Sequence, residues 1–272
     1  MSRSPLRIAL LVTNDISQDQ RMHRIATTLS ELGLEVELIG RWKKNSLPLE
    51  NQIYQTKRLK LIFEKGPFFY LSYNIAAFQY LWKTKPQIVY AVDLDSLAAG
   101  ALFKRLRSGV RLIFDAHEYF TEVPELKASP IKKRIWSAIA SLGIPLSDLC
   151  LTVGPALAQI FSNKYGQEFH SIRNLPTSPG VTRKDYRAEN KILLYQGMLN
   201  EGRGLEHIVE AMEFLEDWTL WLVGRGDIED RLKSLARKSP AAERILFTGF
   251  IQPDKLHKYT TQATLGLNLL VA

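Results

Sequence analysis

The sequence has little of what marks secreted or membrane-spanning proteins. It holds one cysteine, Cys150, among 272 residues, so no internal disulfide can form and a reducing, cytoplasmic setting is expected. The N-terminal apolar run 8–12 is shorter than the ~7–15 residues of a secretory signal core. The longest uncharged stretch, 66–82, falls short of the ~18 residues that suggest a membrane span, so it predicts a buried or interfacial helix.

Acidic residues are in deficit. The chain carries 36 Lys and Arg against 28 Asp and Glu, which gives a formal charge of +8. This surplus favours anionic partners such as phosphates, nucleic acid or an anionic membrane face. No recognisable nucleic-acid-binding module accompanies the charge, so nucleic acid is not an expected partner. A hydrophobic fraction of 46% is ordinary for a globular protein and provides material for a core.

The order of apolar and amphipathic segments predicts alternating strands and helices in two domains. Continuous apolar strands separated by helices are typical of parallel sheets covered on both faces. In the first half the predicted strands are 7–13, 35–40, 57–63, 87–92, 111–115, 149–153 and a strand-like piece at 171–175. The predicted helices between them are 18–32, 68–82, 95–106, 131–142 and 155–165.

The pattern restarts after a stretch rich in proline, glycine and charge. The later strands are predicted at 191–196, 219–223, 244–248 and 265–270, and the later helices at 205–215, 228–236 and 253–259. The fold class predicted is α/β, with two Rossmann-like doubly wound parallel sheets. We assign the first domain to 1–178, a linker to 179–190 and the second domain to 191–272. Because a doubly wound domain normally covers its last strand with a helix, we expect the second domain to be incomplete.

The loop that leaves the first strand is the first candidate site, because open parallel sheets bind ligands at the carboxyl ends of their strands. This loop, 14–21 (NDISQDQR), contains no G-x-G-x-x-G, so the dinucleotide fingerprint is absent. Its polar side chains predict a floor for a sugar acceptor. The alternative is that Ser17 or Asp19 only caps the following helix. The acceptor-side candidates in this loop are Asn14, Asp15, Asp19 and Arg21.

A second polar cluster follows the strand at 111–115. Asp115, His117 and Glu118 form a pattern that resembles metal ligands or acid–base groups. The remaining histidines show no ligand spacing, so no metal site is predicted. We interpret His117 as a hydrogen-bonding group at a ligand site, with Glu118 beside it on the acceptor side. The alternative is a partly buried histidine whose hydrogen bonds are satisfied within the fold.

The second domain opens with a glycine-rich loop, 197–204 (GMLNEGRG), that leads directly into a predicted helix. Glycines allow the backbone to approach an anion, and a helix start exposes free N–H groups. Arg203 adds a guanidinium that can bind phosphate with two hydrogen bonds. Gly197, Arg203 and Gly204 therefore predict a pyrophosphate site. The alternative is a plain connection between strand and helix.

The next two strand exits of this domain repeat the pattern more weakly. Gly224 and Arg225 follow one strand, and Asp227 is expected to cap the helix after them. The backbone around Phe250 follows the next strand and is a candidate for holding a nucleobase. In the first domain, helix 131–142 combines basic residues, isoleucines and Trp136. It predicts either a peripheral contact with an anionic membrane or an ordinary surface helix.

In this order and spacing the segments resemble glycosyltransferase family 4, whose members are retaining enzymes of the GT-B fold. In the first domain the resemblance rests on NDISQDQRMHRIATTLSELG, AVDLDSLAAG, LIFDAHEYFTEVPE, LTVGPALAQIFSNKYG and IRNLP. In the second domain it rests on YQGMLNEGRGLEHIVEAM, LVGRGDIEDRLKSLA and ILFTGFIQPDKLHKYTTQATLGLNLL. The resemblance covers essentially the whole chain.

The resemblance implies two facing domains, with the acceptor bound by the first and a nucleotide-sugar donor by the second. It assigns Arg203 to the donor phosphates, His117 to the transferred sugar, and Gly224 with the backbone around Phe250 to the nucleotide. It implies transfer with retention to a glycan or lipid-linked acceptor, with no metal or other cofactor. Such an enzyme would act in the cytoplasm, in surface polysaccharide or glycolipid synthesis, with the inner membrane face as a further partner.

Two departures from the family pattern favour a second hypothesis. Members commonly have arginine where this chain has Met198, and they carry a spaced pair of glutamates after the last strand found here. The alternative function is therefore a truncated or degenerate glycosyltransferase-like module that binds partners without catalysis.

Overall fold

The structure, a computed structural model, describes residues 4–17, 19–49, 51–119, 129–175, 190–252 and 255–269. Contacts divide the chain into two compact units, Met1–Leu175 (unit 1) and Pro176–Ala272 (unit 2), and each unit has its own sheet. The predicted linker 179–190 lies outside the described residues except for Asn190.

Unit 1 is built on a sheet of seven strands in the order β3-β2-β1-β4-β5-β6-β7, and every neighbouring pair is parallel. The strands are β1 Arg7–Leu11, β2 Glu35–Arg41, β3 Gln55–Leu59, β4 Ile88–Val92, β5 Arg111–Ala116, β6 Leu149–Thr152 and β7 Phe169–Ser171. The helices are α1 Gln20–Glu31, α2 Pro67–Thr84, α3 Asp93–Leu106, α4 Pro130–Gly143 and α5 Pro155–Tyr165, with a 3-10 turn at Ile144–Leu146.

Both faces of this sheet are covered, as its unbroken apolar strands predict. Successive residues of a strand point to opposite faces. In β1, Leu10 therefore packs with Met22 of α1 on one face. Leu11 packs on the other face with residues such as Tyr73 of α2. This double burial fixes the strand ends, and with them the loops that follow.

Unit 2 has a smaller sheet of four parallel strands in the order β10-β9-β8-β11. The strands are β8 Ile192–Gln196, β9 Thr219–Val223, β10 Ile245–Gly249 and β11 Leu265–Gly266. The helices are α6 Leu205–Ala211, α7 Glu229–Lys238 and α8 His257–Thr260, with 3-10 turns at Met212–Phe214 and Ala242–Arg244. Its core packs Val209 and Met212 beside Leu220 and Leu232. No helix in the described parts of either unit is long and apolar enough to cross a membrane.

The structure corrects several predicted element bounds, because a strand ends where its partner strand ends. The strand expected at 57–63 lies at Gln55–Leu59, since its partner β2 stops at Arg41, opposite Leu59. The piece expected at 171–175 lies at Phe169–Ser171, paired with β6 up to Thr152. The helix predicted over 205–215 is α-helical only to Ala211 and then tightens into a 3-10 turn.

Candidate functional site

Each sheet has one switch point, which is the place where the order of its strands reverses direction. In unit 1 the order reverses between β1 and β4, and in unit 2 between β8 and β11. In open parallel sheets ligands bind outside the carboxyl ends of the strands at such a point, where the flanking loops diverge. The candidate site of unit 1 is therefore the edge beyond β1, β4 and β5. The candidate site of unit 2 adjoins the switch point at β8 and extends over the exits of β9 and β10, whose loops hold glycine and arginine.

Asp115, near the carboxyl end of β5, is the centre of a hydrogen-bond network in unit 1. Its side chain is 1% exposed and accepts hydrogen bonds from Tyr90 Oη at 2.7 Å and His117 Nε2 at 2.9 Å. Arg21 Nη2, from the first turn of α1, approaches its two oxygens at 3.3 and 3.1 Å. Burial alone raises the pKa of Asp115, but His117, Arg21 and Tyr90 outweigh burial and hold that pKa below its usual range.

His117 lies between two carboxylates. Its Nε2 bonds Asp115, and its Nδ1 stands 4.0 Å from Asp93 Oδ2. Its backbone N–H also donates to Asp93 Oδ1 at 2.8 Å. The ring is 20% exposed, so it is reachable from solvent yet oriented by the fold. The alternative interpretation is a histidine whose hydrogen bonds are satisfied within the fold. It holds for Nε2, which bonds Asp115, and not for Nδ1.

Asp93 and Asp95 follow β4 at the switch point. Asp93 has φ 56°, a left-handed conformation that costs a residue with a side chain about 1 kcal/mol. Burial is the main reason that the pKa of Asp93 rises to about 6, and the neighbouring acids add to the shift. Asp95 accepts a hydrogen bond from Thr13 Oγ1 at 2.5 Å across the switch point. Burial, reinforced by Asp93, raises the pKa of Asp95 to about 7 against the opposing Thr13 hydrogen bond.

The polar groups of loop 14–21 are largely engaged within unit 1. Asp19 caps α1 by accepting from the Met22 backbone N–H at 2.9 Å, and Asn14 donates to its other oxygen at 2.8 Å. Asp15 accepts from Ser46 Oγ at 2.5 Å and from the Ser17 backbone N–H at 3.1 Å. The capping role expected for Asp19 is therefore present, and a contact of Asn14, Asp15 or Asp19 with an acceptor stays a prediction.

A shallow pocket opens beside this network. It encloses about 280 Å³, counting the solvent at its mouth. Asp93 and the exposed Glu118 supply carboxylates, and Tyr119, Phe161 and Tyr165 supply aromatic walls. Carboxylates accept hydrogen bonds from hydroxyl groups, and aromatic rings offer apolar faces. The lining of this shallow pocket therefore combines hydrogen-bond acceptors with aromatic surface.

In unit 2 the strand exits pack against each other through their backbones. A Cβ on Gly224, which has φ 144°, would lie 1.9 Å from the Gly197 carbonyl oxygen. A Cβ on Gly226 would lie 2.3 Å from the Leu199 carbonyl oxygen. The Gly224 N–H donates to the Gly249 carbonyl at 3.0 Å, which joins the exits of β9 and β10. Only glycine fits at 224 and 226 without moving this edge.

Two arginines of this edge, Arg203 and Arg225, are exposed. Within the described residues, their side chains have no hydrogen-bond or ion-pair partner. The charge of Arg203 reaches Tyr195, where it opposes the rise in pKa that burial gives the phenol. The Arg225 guanidinium lies near Gly249, since a Cβ there would stand 3.7 Å from Nε. Among the described residues, this edge therefore presents two guanidiniums without partners, in loops that open with a glycine directly after the strand.

The remaining predicted residues of unit 2 border the same edge. Gly204 is buried, has φ 61° and directly precedes α6. Phe250 follows β10 with a 49% exposed side chain. The expectation that Asp227 caps the next helix is wrong, since Ile228 occupies the cap position without a side-chain hydrogen bond. Asp227 instead donates a hydrogen bond from its backbone N–H to Asn200 Oδ1, in the loop after β8, at 3.2 Å.

Sequence reasoning left out four polar residues of the unit 1 edge. Thr13, Tyr90, Asp93 and Asp95 belong to it, and only the acids carried a usable signal, because they follow a predicted buried strand directly. Tyr90 lies inside β4, so no sequence pattern set it apart from core residues. In the part of the chain that the structure describes, no group of three or more His, Cys, Asp or Glu residues is arranged to hold a metal ion.

Comparison with known proteins identifies the family of the chain. The sequence profile of Glycosyltransferase Family 4 matches residues 18–177, and that of Glycosyl transferases group 1 matches residues 182–267. No curated protein sequence matches the chain. The structure is similar to sucrose-phosphate synthase from Thermosynechococcus elongatus, with a TM-score of 0.72 and 18% identity over 96% of this chain and 74% of that one.

Two further solved structures share the fold. WaaG, a glycosyltransferase involved in lipopolysaccharide biosynthesis, gives a TM-score of 0.69 and 13% identity over 97% of this chain and 75% of that one. HepE (Alr3699) of Anabaena, solved in complex with UDP, gives 0.66 and 14% identity over 98% and 75%. The chain therefore belongs to glycosyltransferase family 4 and is a glycosyltransferase of the GT-B fold, with two Rossmann-like sheets of which the second is the smaller.

Proposed function

We propose that the chain moves a hexose from a nucleotide-activated donor to a glycan or lipid-linked acceptor, with retention at the anomeric carbon. The observation that carries this proposal is the edge of unit 2, where Arg203 and Arg225 are exposed and have no side-chain partner among the described residues. The likeness to WaaG, which is described as acting in lipopolysaccharide biosynthesis, supports surface polysaccharide or glycolipid synthesis as the setting. The UDP bound to HepE supports a nucleoside diphosphate as the leaving group.

The leaving group of this reaction is a nucleoside diphosphate, whose negative charge a guanidinium can stabilise. When the bond between sugar and phosphate breaks, negative charge develops on the diphosphate, and preorganised donors stabilise it. Arg203 and Arg225 supply such donors, and Gly197, Gly204 and Gly224 add no side chain beside them that would hinder a diphosphate. Phe250 borders the space assigned to the nucleotide. This arrangement needs neither a metal ion nor another cofactor.

The edge of unit 1 recognises sugar hydroxyls in this proposal. His117 holds the transferred sugar, and Asp93 and Glu118 accept hydrogen bonds from hydroxyls in the adjoining pocket. Arg21 acts on this site through Asp115, since its guanidinium is already bound to that carboxylate. Asn14, Asp15 and Asp19 hold the loop that borders the same edge.

Isothermal titration with UDP, ADP and GDP tests the donor site. We expect at least one of the three to bind, and Arg203→Ala or Arg225→Ala to weaken binding about 10–100-fold, since a charged hydrogen bond contributes about 1.5–3 kcal/mol. Arg237→Ala is the matched control, because this exposed arginine lies in the last turn of α7, away from the strand exits. Equal affinity of Arg203→Ala, Arg225→Ala and wild type would sink the proposal.

Turnover separates this proposal from a module that binds without catalysis. With the nucleotide identified, the matching α-linked nucleotide glucose and galactose are incubated with the protein, and the released sugar is followed by proton NMR. Retention predicts that the α anomer appears first, before mutarotation. Binding without any sugar release would favour the non-catalytic module, which the methionine at Met198 also favours.

We further propose that α4 makes a peripheral contact with the anionic inner face of a membrane. The helix contains Lys132, Lys133 and Arg134 and no acidic residue, and Ile131 and Leu142 are 75% and 74% exposed. Basic and apolar groups on one helix suit an anionic lipid surface. Trp136 takes no part in this surface, because it is 8% exposed and packs edge-on against Tyr70 at 4.9 Å.

Vesicle co-sedimentation tests this contact. We expect binding to vesicles rich in phosphatidylglycerol and little binding to phosphatidylcholine alone. Ile131→Glu should lower the bound fraction several-fold, because it removes apolar area and adds repulsion. Ile160→Glu on α5 is the control, since Ile160 is also exposed, at 42%. Equal sedimentation of Ile131→Glu and wild type would refute the contact.

A further inference from the structure

We propose that Asp115 is a positioning residue that keeps the proton of the neutral His117 ring on Nε2 and so presents Nδ1 as the ligand-facing nitrogen. The use of Nδ1 by a sugar rests on the proposed function above. The position of the proton does not, because it follows from contacts inside unit 1.

The first step is the contact on Nε2. Asp115 Oδ2 lies 2.9 Å from Nε2, and the carboxylate is 1% exposed. An ionised carboxylate can only accept hydrogen bonds, so the nitrogen facing it has to carry the hydrogen. Arg21 contacts both oxygens of Asp115 and Tyr90 donates to Oδ2, which together hold the carboxylate in its charged form.

The second step is the freedom of Nδ1. It stands 4.0 Å from Asp93 Oδ2, which is longer than a hydrogen bond, and no other hydrogen-bond partner for it is present in the described residues. Asp93 Oδ1 already accepts from the His117 backbone N–H. A neutral ring with its hydrogen on Nε2 therefore carries a lone pair on Nδ1, on the side of Asp93, which itself lines the pocket described above.

The third step is orientation. Rotating the ring by half a turn would exchange Nε2 with a carbon and leave Asp115 facing a C–H, so the buried carboxylate would lose one of its donors. Asp115 therefore fixes both the tautomer and the ring face. In this state Nδ1 accepts a hydrogen bond from a hydroxyl, and when the ring is charged it donates one.

The test is a proton–nitrogen multiple-bond NMR spectrum of the full chain at alkaline pH, where the pattern of cross-peaks distinguishes the two tautomers. The signals of His117 are assigned as those missing from His117→Gln. We expect the Nε2–H pattern in the wild type. The wild-type spectrum already decides the point, since an Nδ1–H pattern would overturn the proposal whether or not any variant folds.

Asp115→Asn tests the cause. Asparagine has the same shape, but its amide can donate to Nε2, which moves the hydrogen to Nδ1, so we expect a mixed or reversed pattern. Tyr90→Phe is the control, because it removes one hydrogen bond to Asp115 and keeps the charge, and it should retain the Nε2–H pattern. An unchanged pattern in a folded Asp115→Asn protein would mean that a group other than Asp115 determines the tautomer, and would overturn the proposal. Because nucleotide titration is measured separately, failure of the proposed function and failure of this inference give different results.

Discussion

The carboxyl edges of the two sheets differ in whether their charged side chains have partners within the described fold. In unit 1 the charged groups are paired inside the fold, with Arg21 bound to Asp115 and Asp15 bound to Ser46 with Arg58 nearby at 3.6 Å. In unit 2 the backbones of neighbouring exits touch, and Arg203 and Arg225 are left exposed without partners in the described residues. The first edge is stabilised by hydrogen bonds between side chains. The second is stabilised by close backbone contacts that only glycine allows.

This difference separates two kinds of recognition. A network of buried pairs has its geometry before any ligand arrives, which suits the orientation of neutral hydroxyl groups. Exposed guanidiniums beside glycine residues supply positive charge and leave room for a ligand to approach the backbone. This arrangement suits a diphosphate. Under the proposed function, the unit 2 edge would bind the anionic donor and the unit 1 edge would bind sugar hydroxyls, so the two edges would differ as their ligands do.

The largest effect is expected where unit 2 depends on a missing side chain. In Gly224→Ala the new Cβ would meet the Gly197 carbonyl oxygen at 1.9 Å, and backbone cannot move aside as a flexible side chain can. We expect a loss above about 4 kcal/mol in the free energy of unfolding, measured by urea denaturation with hydrogen exchange over β8 and β9. Gly266→Ala, where a Cβ meets nothing within 4 Å, is the control. Equal losses in the two variants would show that the exits of β8 and β9 are looser than the structure has them.

A somewhat smaller effect is expected from breaking a pair in unit 1. Arg21→Ala leaves the buried Asp115 carboxylate without its cation, and removing one partner of such a pair costs about 3 kcal/mol. Arg24→Ala, three residues later on α1, should cost well under about 1 kcal/mol, because its bond to Asn174 is exposed. Adding Asp115→Asn to Arg21→Ala should recover part of the loss in urea denaturation. No recovery would mean that Arg21 stabilises α1 by packing and not by charge.

Much of the fold could be predicted because burial imposes its own pattern on a strand. Runs such as RIALLVT and QIVYAV mark strands covered on both faces, and the structure places β1 and β4 there. The ends were less predictable, because β3 and β7 stop where β2 and β6 stop. That pairing is a relation between distant segments, and the residues near a strand end do not encode it.

The site was predictable where its chemistry lies in loops and not where it lies in strands. Arg203 and Arg225 lie in the loops that follow β8 and β9, so the rule of strand exits was enough to select them as candidates, and their contact with a ligand stays a prediction. Tyr90 and the role of Asp115 depend on β4 and β5 being neighbours, with Val92 opposite Asp115. The bond between Arg21 and Asp115 joins residues 94 positions apart, and only the folded sheet brings them together.

The smallest effect is expected from a change of pH, since unit 1 also contains a carboxylate, Asp95, that has no ion-pair partner among the described residues. Burial raises the pKa of Asp95 to about 7, against about 3.9 in an unfolded chain. Between these values the folded state binds the extra proton, so this group's stabilising contribution is complete below about pH 4 and is lost as pH rises through 7. Asp95→Asn keeps an acceptor for Thr13 and removes the charge.

A pKa shift of this size would correspond to about 4 kcal/mol. Asp95 is only partly buried, however, and water screens its charge, so we expect Asp95→Asn to be more stable than wild type by about 1–2 kcal/mol at pH 8 and by much less at pH 5. Urea denaturation at the two pH values measures both differences. Asp230→Asn, at an exposed position of α7, is the control and should change neither by more than about 0.5 kcal/mol. A gain of the same size at both pH values would trace the effect to packing or helix propensity. A loss at pH 8 would mean that the Asp95 carboxylate has a partner that offsets its burial, and that the unit 1 edge is paired throughout.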